Sequence, residues 1–324
     1  MIDVEKLFDL NIGLVLAGGG AKGAYEAGVF KALWELDIIR RVSVVSGTSI
    51  GTINGLMLSM NDGNVMDKSW SNISYSRFIN NENKINKNLN HCKYCEFNKL
   101  CKREDTVDKE KKLADLFKKN DIGLLSQSGI RSFIEDYVDF NVIRQSKKIL
   151  YACAYNIDLE KPEYFKLNDY DDKKALDICI ASCAVPFLFK PIEIDEYRYA
   201  DGGVNNPQYR EPNVDNVPIA PLKDHNCDII IVVHLSYKED LNREGFENTN
   251  IIEIYPSTQL ELIEGIGSLN IRPSALNQHI ELGYRDALTI LAPMIIDMIK
   301  GKDIKKLIKK HEEYNKELIN RNRH

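Results

Sequence analysis

Gly47-Thr48-Ser49-Ile50-Gly51 fits the pattern G-x-S-x-G. A serine in that pattern can act as a nucleophile when it sits on a sharp, strained turn between a strand and a helix, with its Oγ exposed. The flanking glycines leave room for such a turn. The helix that follows aims its N-terminus at the same spot, which favours developing negative charge. The competing reading is an ordinary turn serine, because a bare G-x-S-x-G arises often by chance. The flanks argue for the elbow. Val42-Ser43-Val44-Val45-Ser46 is β-rich, and Ile50 to Met60 is a mostly apolar helical stretch.

A second string, Gly18-Gly19-Gly20-Ala21-Lys22-Gly23, opens another helix. Its unsubstituted backbone N–H groups can point at an oxyanion, the preorganised donors that acyl transfer needs. The same residues also satisfy G-x-G-x-x-G, the dinucleotide fingerprint. That fingerprint expects an acidic residue about twenty positions on, at the end of the second strand. The second strand here ends in Val45-Ser46-Gly47, with a candidate nucleophile where the carboxylate would stand. A third string, Tyr199-Ala200-Asp201-Gly202-Gly203, places an aspartate in a glycine turn after a strand. Alone it reads as an Asx-type turn, common for Asp-Gly.

Together the three strings resemble the patatin-like phospholipase family, its bacterial branch closely. Gly23-Ala24-Tyr25-Glu26-Ala27-Gly28-Val29 is similar to the family's first helix, and Ala181-Ser182-Cys183-Ala184-Val185-Pro186-Phe187 to the segment before its aspartate turn. Leu282 to Ala287 looks like its late helix. The resemblance covers roughly residues 11–60 and 121–292. It implies a three-layer α/β fold, with a mostly parallel sheet flanked by helices on both faces. It implies Ser49 as nucleophile and Asp201 as its base, a dyad without histidine. Gly18, Gly19, Gly20 and the adjacent Ala21 amide would form the oxyanion hole. Lys22, Gly23, Gly47, Gly51, Gly202 and Gly203 would support the motifs. The substrate would be a glycerophospholipid, lysophospholipid or acylglycerol, with no cofactor required.

An α/β-hydrolase triad is the nearest competing enzyme, and it needs several strands before the serine and a histidine after the aspartate. Only 48 residues precede Ser49; His225, His234 and His279 follow Asp201. His234, near a strand end, is the histidine to watch.

The elements that must position these groups are legible as alternating apolar runs. Strands are expected at 12–17, 42–46, 149–155 and 228–235, helices at 24–36, 50–60 and 173–183, and a hairpin over 192–201. Continuously apolar strands alternating with helices indicate a parallel sheet covered on both faces. Residues 61–120, rich in Asn and Lys, read as an insertion or lid within a catalytic domain spanning 1–292. The insertion contains His91, Cys92, Cys95 and Cys101. The C-x2-C pair with Cys101 is compatible with a structural zinc or iron–sulfur site, or with free thiols in a mobile lid. Cys153, Cys179 and Cys183 read as small core residues.

Residues 293–324 are expected to form a basic amphipathic helix. The stretch 300–324 holds 9 Lys and Arg against 4 Asp and Glu, beside Ile304, Leu307, Ile308, Tyr314 and Leu318. Such a helix can lie on an anionic membrane surface or pack on the domain with a solvated charged face.

The chain has 324 residues, 28% of them charged, and a net charge of −5, which argues against a general nucleic-acid binder. Asp3, Glu5, Lys6 and Asp9 interrupt any apolar leader, and the odd cysteine count in a well-cored chain favours a reducing cytoplasm, with at most peripheral membrane contact. Three functions are weighed: a lipid acyl-hydrolase, favoured; a dinucleotide-dependent enzyme; and a silent relative serving as an interaction module. Oligomeric state is not legible.

Overall fold

A computed structural model of the chain describes residues 10–60, 62–74, 127–186, 188–203, 215–238, 241–262 and 267–322. Among these residues eight strands form one mixed sheet. Five run parallel: β1 (Ile12–Leu16), β2 (Val42–Thr48), β3 (Ile149–Asn156), β7 (Ile229–Val233) and β8 (Asn250–Ile254). Three pair antiparallel: β4 (Lys161–Lys166), β5 (Ile192–Ile194) and β6 (Tyr197–Asp201). β1 lies between β2 and β7, and every residue of β1 and β7 is buried. That is why these strands are apolar without alternation, since a parallel strand covered on both faces has no solvent side.

The helices around the sheet are α1 (Ala24–Glu35), α2 (Ile50–Leu58), α3 (Val65–Ser71), α4 (Gln127–Tyr137), α5 (Phe140–Gln145), α6 (Asp172–Ser182), α7 (Pro273–Ile299) and α8 (Ile304–Asn322). The strands and helices expected between residues 12 and 235 are present within a few residues of their expected ends. The largest fully buried side chains include Trp70, Tyr25, Tyr155 and Phe133.

Two elements lie across the expected boundaries. Within residues 62–74, α3 buries Val65, Met66 and Trp70. Three apolar side chains in one short helix among Asp, Lys and Ser give too little periodicity to read from sequence. One helix also spans the expected boundary near 292. α7 continues through Pro293 to Ile299, and α8 begins only at Ile304, after a turn at Gly301 with φ 76°.

β3 sets the geometry of the site. β4 pairs with it along Tyr151–Asn156, occupying one edge. β2 pairs with Ile149–Cys153 and β6 with Ala154–Asn156, so both must use the opposite edge, one after the other. Thr48 sits opposite Cys153 and Asp201 opposite Ala154. The chain ends of β2 and β6 therefore meet on successive rungs, a separation of about 3.3 Å along β3.

Candidate active site

Ser49 follows Thr48 directly and is the residue at which β2 turns into α2. Its backbone has φ 55° and ψ −123°, a strained conformation for a side chain other than glycine. The turn is tight because α2 lies against the end of β1. A methyl group on Gly51 would sit 2.4 Å from the Leu16 carbonyl oxygen. Hydrogen bonds hold the strained turn from three sides. The Ser49 amide donates to Ser182 Oγ at 2.9 Å, and Ser182 Oγ donates to the Cys153 carbonyl at 2.6 Å. Thr52 Oγ1 lies 3.0 Å from Ser182 Oγ and donates to the Gly47 carbonyl at 2.8 Å. All of these groups are buried.

Asp201, 1% exposed, ends β6; its amide donates to the Ala184 carbonyl at 3.0 Å, and its Oδ1 accepts from the Gly203 amide at 2.8 Å. Cys183 is next to both catalytic candidates. Burial, then the nearby Asp201 carboxylate and Cys179, push its thiol well up, while a hydrogen bond with Ser49 acts the other way. The thiol therefore stays protonated beside the serine.

A second brace joins the glycine turn to the aspartate turn. Asn216 Nδ2 donates to the Gly18 carbonyl at 3.0 Å, and the Gly18 amide donates to the Asn216 carbonyl at 3.2 Å. The Asp215 amide donates to the Gly202 carbonyl at 2.8 Å, and Thr48 Oγ1 donates to the Asp215 carbonyl at 2.8 Å. Burial raises the Asp215 carboxyl, opposed by the Tyr164 hydroxyl, which donates to it at 2.6 Å. A methyl group on Gly18 would lie 3.3 Å from Ser49 Cβ, so the glycine turn lies against Ser49. Because the Gly18 amide is bonded to Asn216, the amides of Gly19, Gly20 and Ala21 are the remaining candidates for an oxyanion hole. Gly20 has φ 58°, and a methyl group there would meet the Ser268 carbonyl oxygen at 2.4 Å. Lys22, itself buried, makes an ion pair with Glu261 at 2.8 Å.

The structure thus brings together Ser49, Asp201, Gly18–Gly20 and the flanking glycines. It turns His234 elsewhere. That ring is fully buried, with Nε2 2.8 Å from Glu253 Oε2, and it stacks on Tyr255 at 3.9 Å between centroids. Burial works to raise Glu253, but its bonds and charge pairing with His234 and Arg243 outweigh that and hold it down at about 2. Glu253 lies on β8, where its carbonyl accepts from His311 Nε2 at 2.7 Å and Asn315 Nδ2 at 2.9 Å, both on α8. α8 is therefore packed on the sheet edge, with Ile308 and Leu318 buried and Leu318 clustered with Tyr237 and Tyr255. Tyr237 and Tyr255 follow the C-terminal ends of β7 and β8, so α8 runs parallel to β8.

His91, Cys92, Cys95 and Cys101 lie outside the described residues, as does the expected 61–120 lid from residue 75 onward. Among the described residues no group of three or more His, Cys, Asp and Glu is placed to hold a metal ion, and no helix is long and apolar enough to cross a membrane. Ser182, Asp215 and Asn216 went unnoticed in the sequence as parts of the site. Ser182 stands within a string that resembles the family, but its spacing says nothing about the Ser49 amide.

The family model for the patatin-like phospholipase matches residues 14–222, which hold both glycine strings and the aspartate turn. The chain belongs to the patatin-like phospholipase family. It is 26% identical over 270 residues to the probable lipid hydrolase 463L of Invertebrate iridescent virus 6, an alignment covering 76% of this chain and 79% of that one. Its fold is similar to that of VipD from Legionella pneumophila, with a TM-score of 0.50 at 14% identity, over 88% of this chain and 67% of that one. It is also similar to human GIVD cytosolic phospholipase A2, with a TM-score of 0.50 at 9% identity, over 94% and 60% of the two chains. These likenesses place the mixed, mostly parallel sheet and its surrounding helices within the patatin and cytosolic phospholipase A2 type of α/β fold.

Proposed function

We propose that the protein hydrolyses carboxylic esters of lipids with Ser49 as nucleophile, Asp201 as general base and the Gly19–Ala21 amides as oxyanion donors. Membership of the patatin-like family and the likeness to a probable lipid hydrolase support lipid ester hydrolysis. The observation that carries the finer reading is the end-to-end meeting of β2 and β6 on one edge of β3. It brings the strand end that carries the strained serine and a buried aspartate to successive rungs.

Ser49 Oγ gives its proton to Asp201 as it bonds to the acyl carbon, and the carbonyl oxygen takes up the displaced electron pair as an oxyanion. Backbone amides aimed at that oxygen stabilise it, each worth about 3–4 kcal/mol. Collapse breaks the ester C–O bond, and the alcohol leaves with the proton from Asp201. Water then repeats the sequence on the acyl-enzyme, with Asp201 taking its proton, and the carboxylic acid departs as Ser49 regains a hydrogen. The α2 N-terminus adds a favourable dipole at the same spot. Glycerophospholipids, lysophospholipids and acylglycerols are the substrate classes that fit the family. His234 has no place in this chemistry, since its Nε2 is occupied by Glu253.

The test is labelling of the purified protein with a fluorophosphonate probe, followed by mass spectrometry of the modified peptide. The adduct is expected on Ser49, and Ser49→Ala is expected to lose labelling and p-nitrophenyl ester hydrolysis while staying folded. An adduct on another serine, or labelling that persists in Ser49→Ala, refutes the assignment.

A further inference from the structure

The glycine turn and the nucleophile helix are joined by a buried acid that the mechanism above does not use. Glu26, on α1, is 2% exposed. Its Oε2 accepts from Asn54 Nδ2 at 2.8 Å, and the same nitrogen donates to the Gly23 carbonyl at 3.0 Å. Trp70 Nε1, on α3, donates to Asn54 Oδ1 at 3.2 Å. Asn54 lies on α2, the helix that begins at Ser49, and is itself fully buried. One amide therefore links three segments: the helix behind the nucleophile, the end of the glycine turn and the carboxyl of α1.

We propose that Glu26 is a positioning residue, whose carboxyl holds Asn54 in the orientation that locks the Ser49 helix to the Gly23 end of the oxyanion turn. The inference rests on the Ser49 reading above. An amide has two N–H bonds, and here both are used. If the Glu26 acceptor is lost, one Asn54 N–H is left unpaired in a buried site, and only the longer Trp70 bond still orients the amide toward the Gly23 carbonyl. The glycine amides and Ser49 Oγ would then lose their fixed separation.

The surroundings of Glu26 make its protonation state matter. The cavity beside it is lined by Leu14 and Leu16 of β1, Phe30 of its own helix, Leu58 of α2 and Met66 of α3. Apart from Glu26 itself, none of the described residues lining it is charged or titratable. Burial is the largest influence and pushes the Glu26 carboxyl well above its ordinary value of 4.5; the Asn54 bond and the Ala17 amide oppose it only in part. The Ala17 amide is itself bonded to the Val233 carbonyl at 3.2 Å. Burial therefore favours the uncharged form of this acid. Raising the pH through its folded-state value puts an unpaired charge among apolar side chains, and the clamp is expected to open. The unfolded chain releases the same proton near 4.5, so the wild type loses stability relative to an uncharged isostere as pH climbs from there to the folded value.

The experiment compares wild type, Glu26→Gln and Glu26→Leu. It follows kcat and KM for a soluble p-nitrophenyl ester and the rate of fluorophosphonate labelling from neutral to alkaline pH, with circular dichroism tracking the folded fraction. In wild type both rates are expected to fall on the alkaline side while the protein remains folded. Glu26→Gln keeps the acceptor without the ionisation, so it should match wild type near neutrality and lose the alkaline fall. Its melting temperature should exceed that of wild type by a margin that grows with pH. Glu26→Leu should lower kcat on the order of tenfold to a hundredfold with KM little changed, the scale of a small misplacement of reacting groups. An alkaline fall that is identical in Glu26→Gln, or absent in wild type, overturns the proposal, as does a Glu26→Gln protein that is inactive near neutrality. Should Glu26→Leu not fold, the Glu26→Gln profile decides alone. Loss of labelling in Ser49→Ala with an unchanged Glu26→Gln profile defeats this inference and leaves the Ser49 reading standing; persistent labelling in Ser49→Ala defeats that reading itself.

Discussion

Replacing Ser182 with alanine tests whether the elbow is held from outside. Ser182 Oγ accepts from the Ser49 amide at 2.9 Å, donates to the Cys153 carbonyl at 2.6 Å and lies 3.0 Å from Thr52 Oγ1. The site is fully buried, so the alanine variant strands the Ser49 N–H with no water to replace its partner. A stranded buried donor costs about 1–3 kcal/mol, and loss of the bond to Cys153 adds about 1 kcal/mol. The predicted destabilisation is therefore about 2–4 kcal/mol. Strain of the kind Ser49 carries at φ 55° costs about 1–3 kcal/mol, comparable to the brace that is removed. The elbow is then free to relax, and a displacement of about 1 Å at Oγ can lower the rate about a hundredfold. Urea unfolding gives the stability change; turnover of a p-nitrophenyl ester and the fluorophosphonate labelling rate give the chemical one. A Ser182→Ala protein within about 0.5 kcal/mol of wild type, labelled at the wild-type rate, would refute the idea that this brace fixes the nucleophile.

Asp201→Asn should leave the fold intact and lower kcat by about 10³-fold or more, since an amide cannot take the Ser49 proton; near-normal turnover would remove Asp201 from the mechanism. Gly20→Val should abolish most activity, because φ 58° disfavours a branched residue and the Ser268 carbonyl blocks the new side chain; normal kcat in a folded protein would place the oxyanion donors elsewhere. His234→Ala should keep most of its kcat and lose stability. The Glu253 carboxyl is held at about 2, below its ordinary 4.5, so its contribution is complete above about pH 4.5 and fades as pH falls toward 2. Thermal melts across that window should show the acid loss shrink in His234→Ala, whereas a fall in kcat as large as that of Asp201→Asn would point to a triad.

The elbow and the glycine turn were legible in the sequence because local sterics dictate them. Gly51 must be small where α2 meets the Leu16 carbonyl, and Gly20 must accept a left-handed backbone; both demands leave glycine at fixed offsets from Ser49 or from the strand end. The apolar runs of β1, β2, β3 and β7 were equally plain, since burial on both faces removes any need for alternation. Membership in the patatin-like family followed from the order of three short strings. Other features had no such local cause. Ser182 braces Ser49 across 133 positions, and Asn216 meets Gly18 across 198, distances at which no periodicity carries information. The role of Glu26 depends on Asn54 and Trp70 arriving from two other helices. His234 resembled a triad member until the parallel pairing of β7 with β8 brought Glu253 and Tyr255 to its ring. The basic amphipathic pattern of α8 did not say which groups its buried face would meet, and only the fold brings His311 and Asn315 onto the Glu253 carbonyl. A sequence specifies the residues that make a turn or a strand possible; which distant groups meet there is settled only when the sheet closes and each buried polar atom finds a partner.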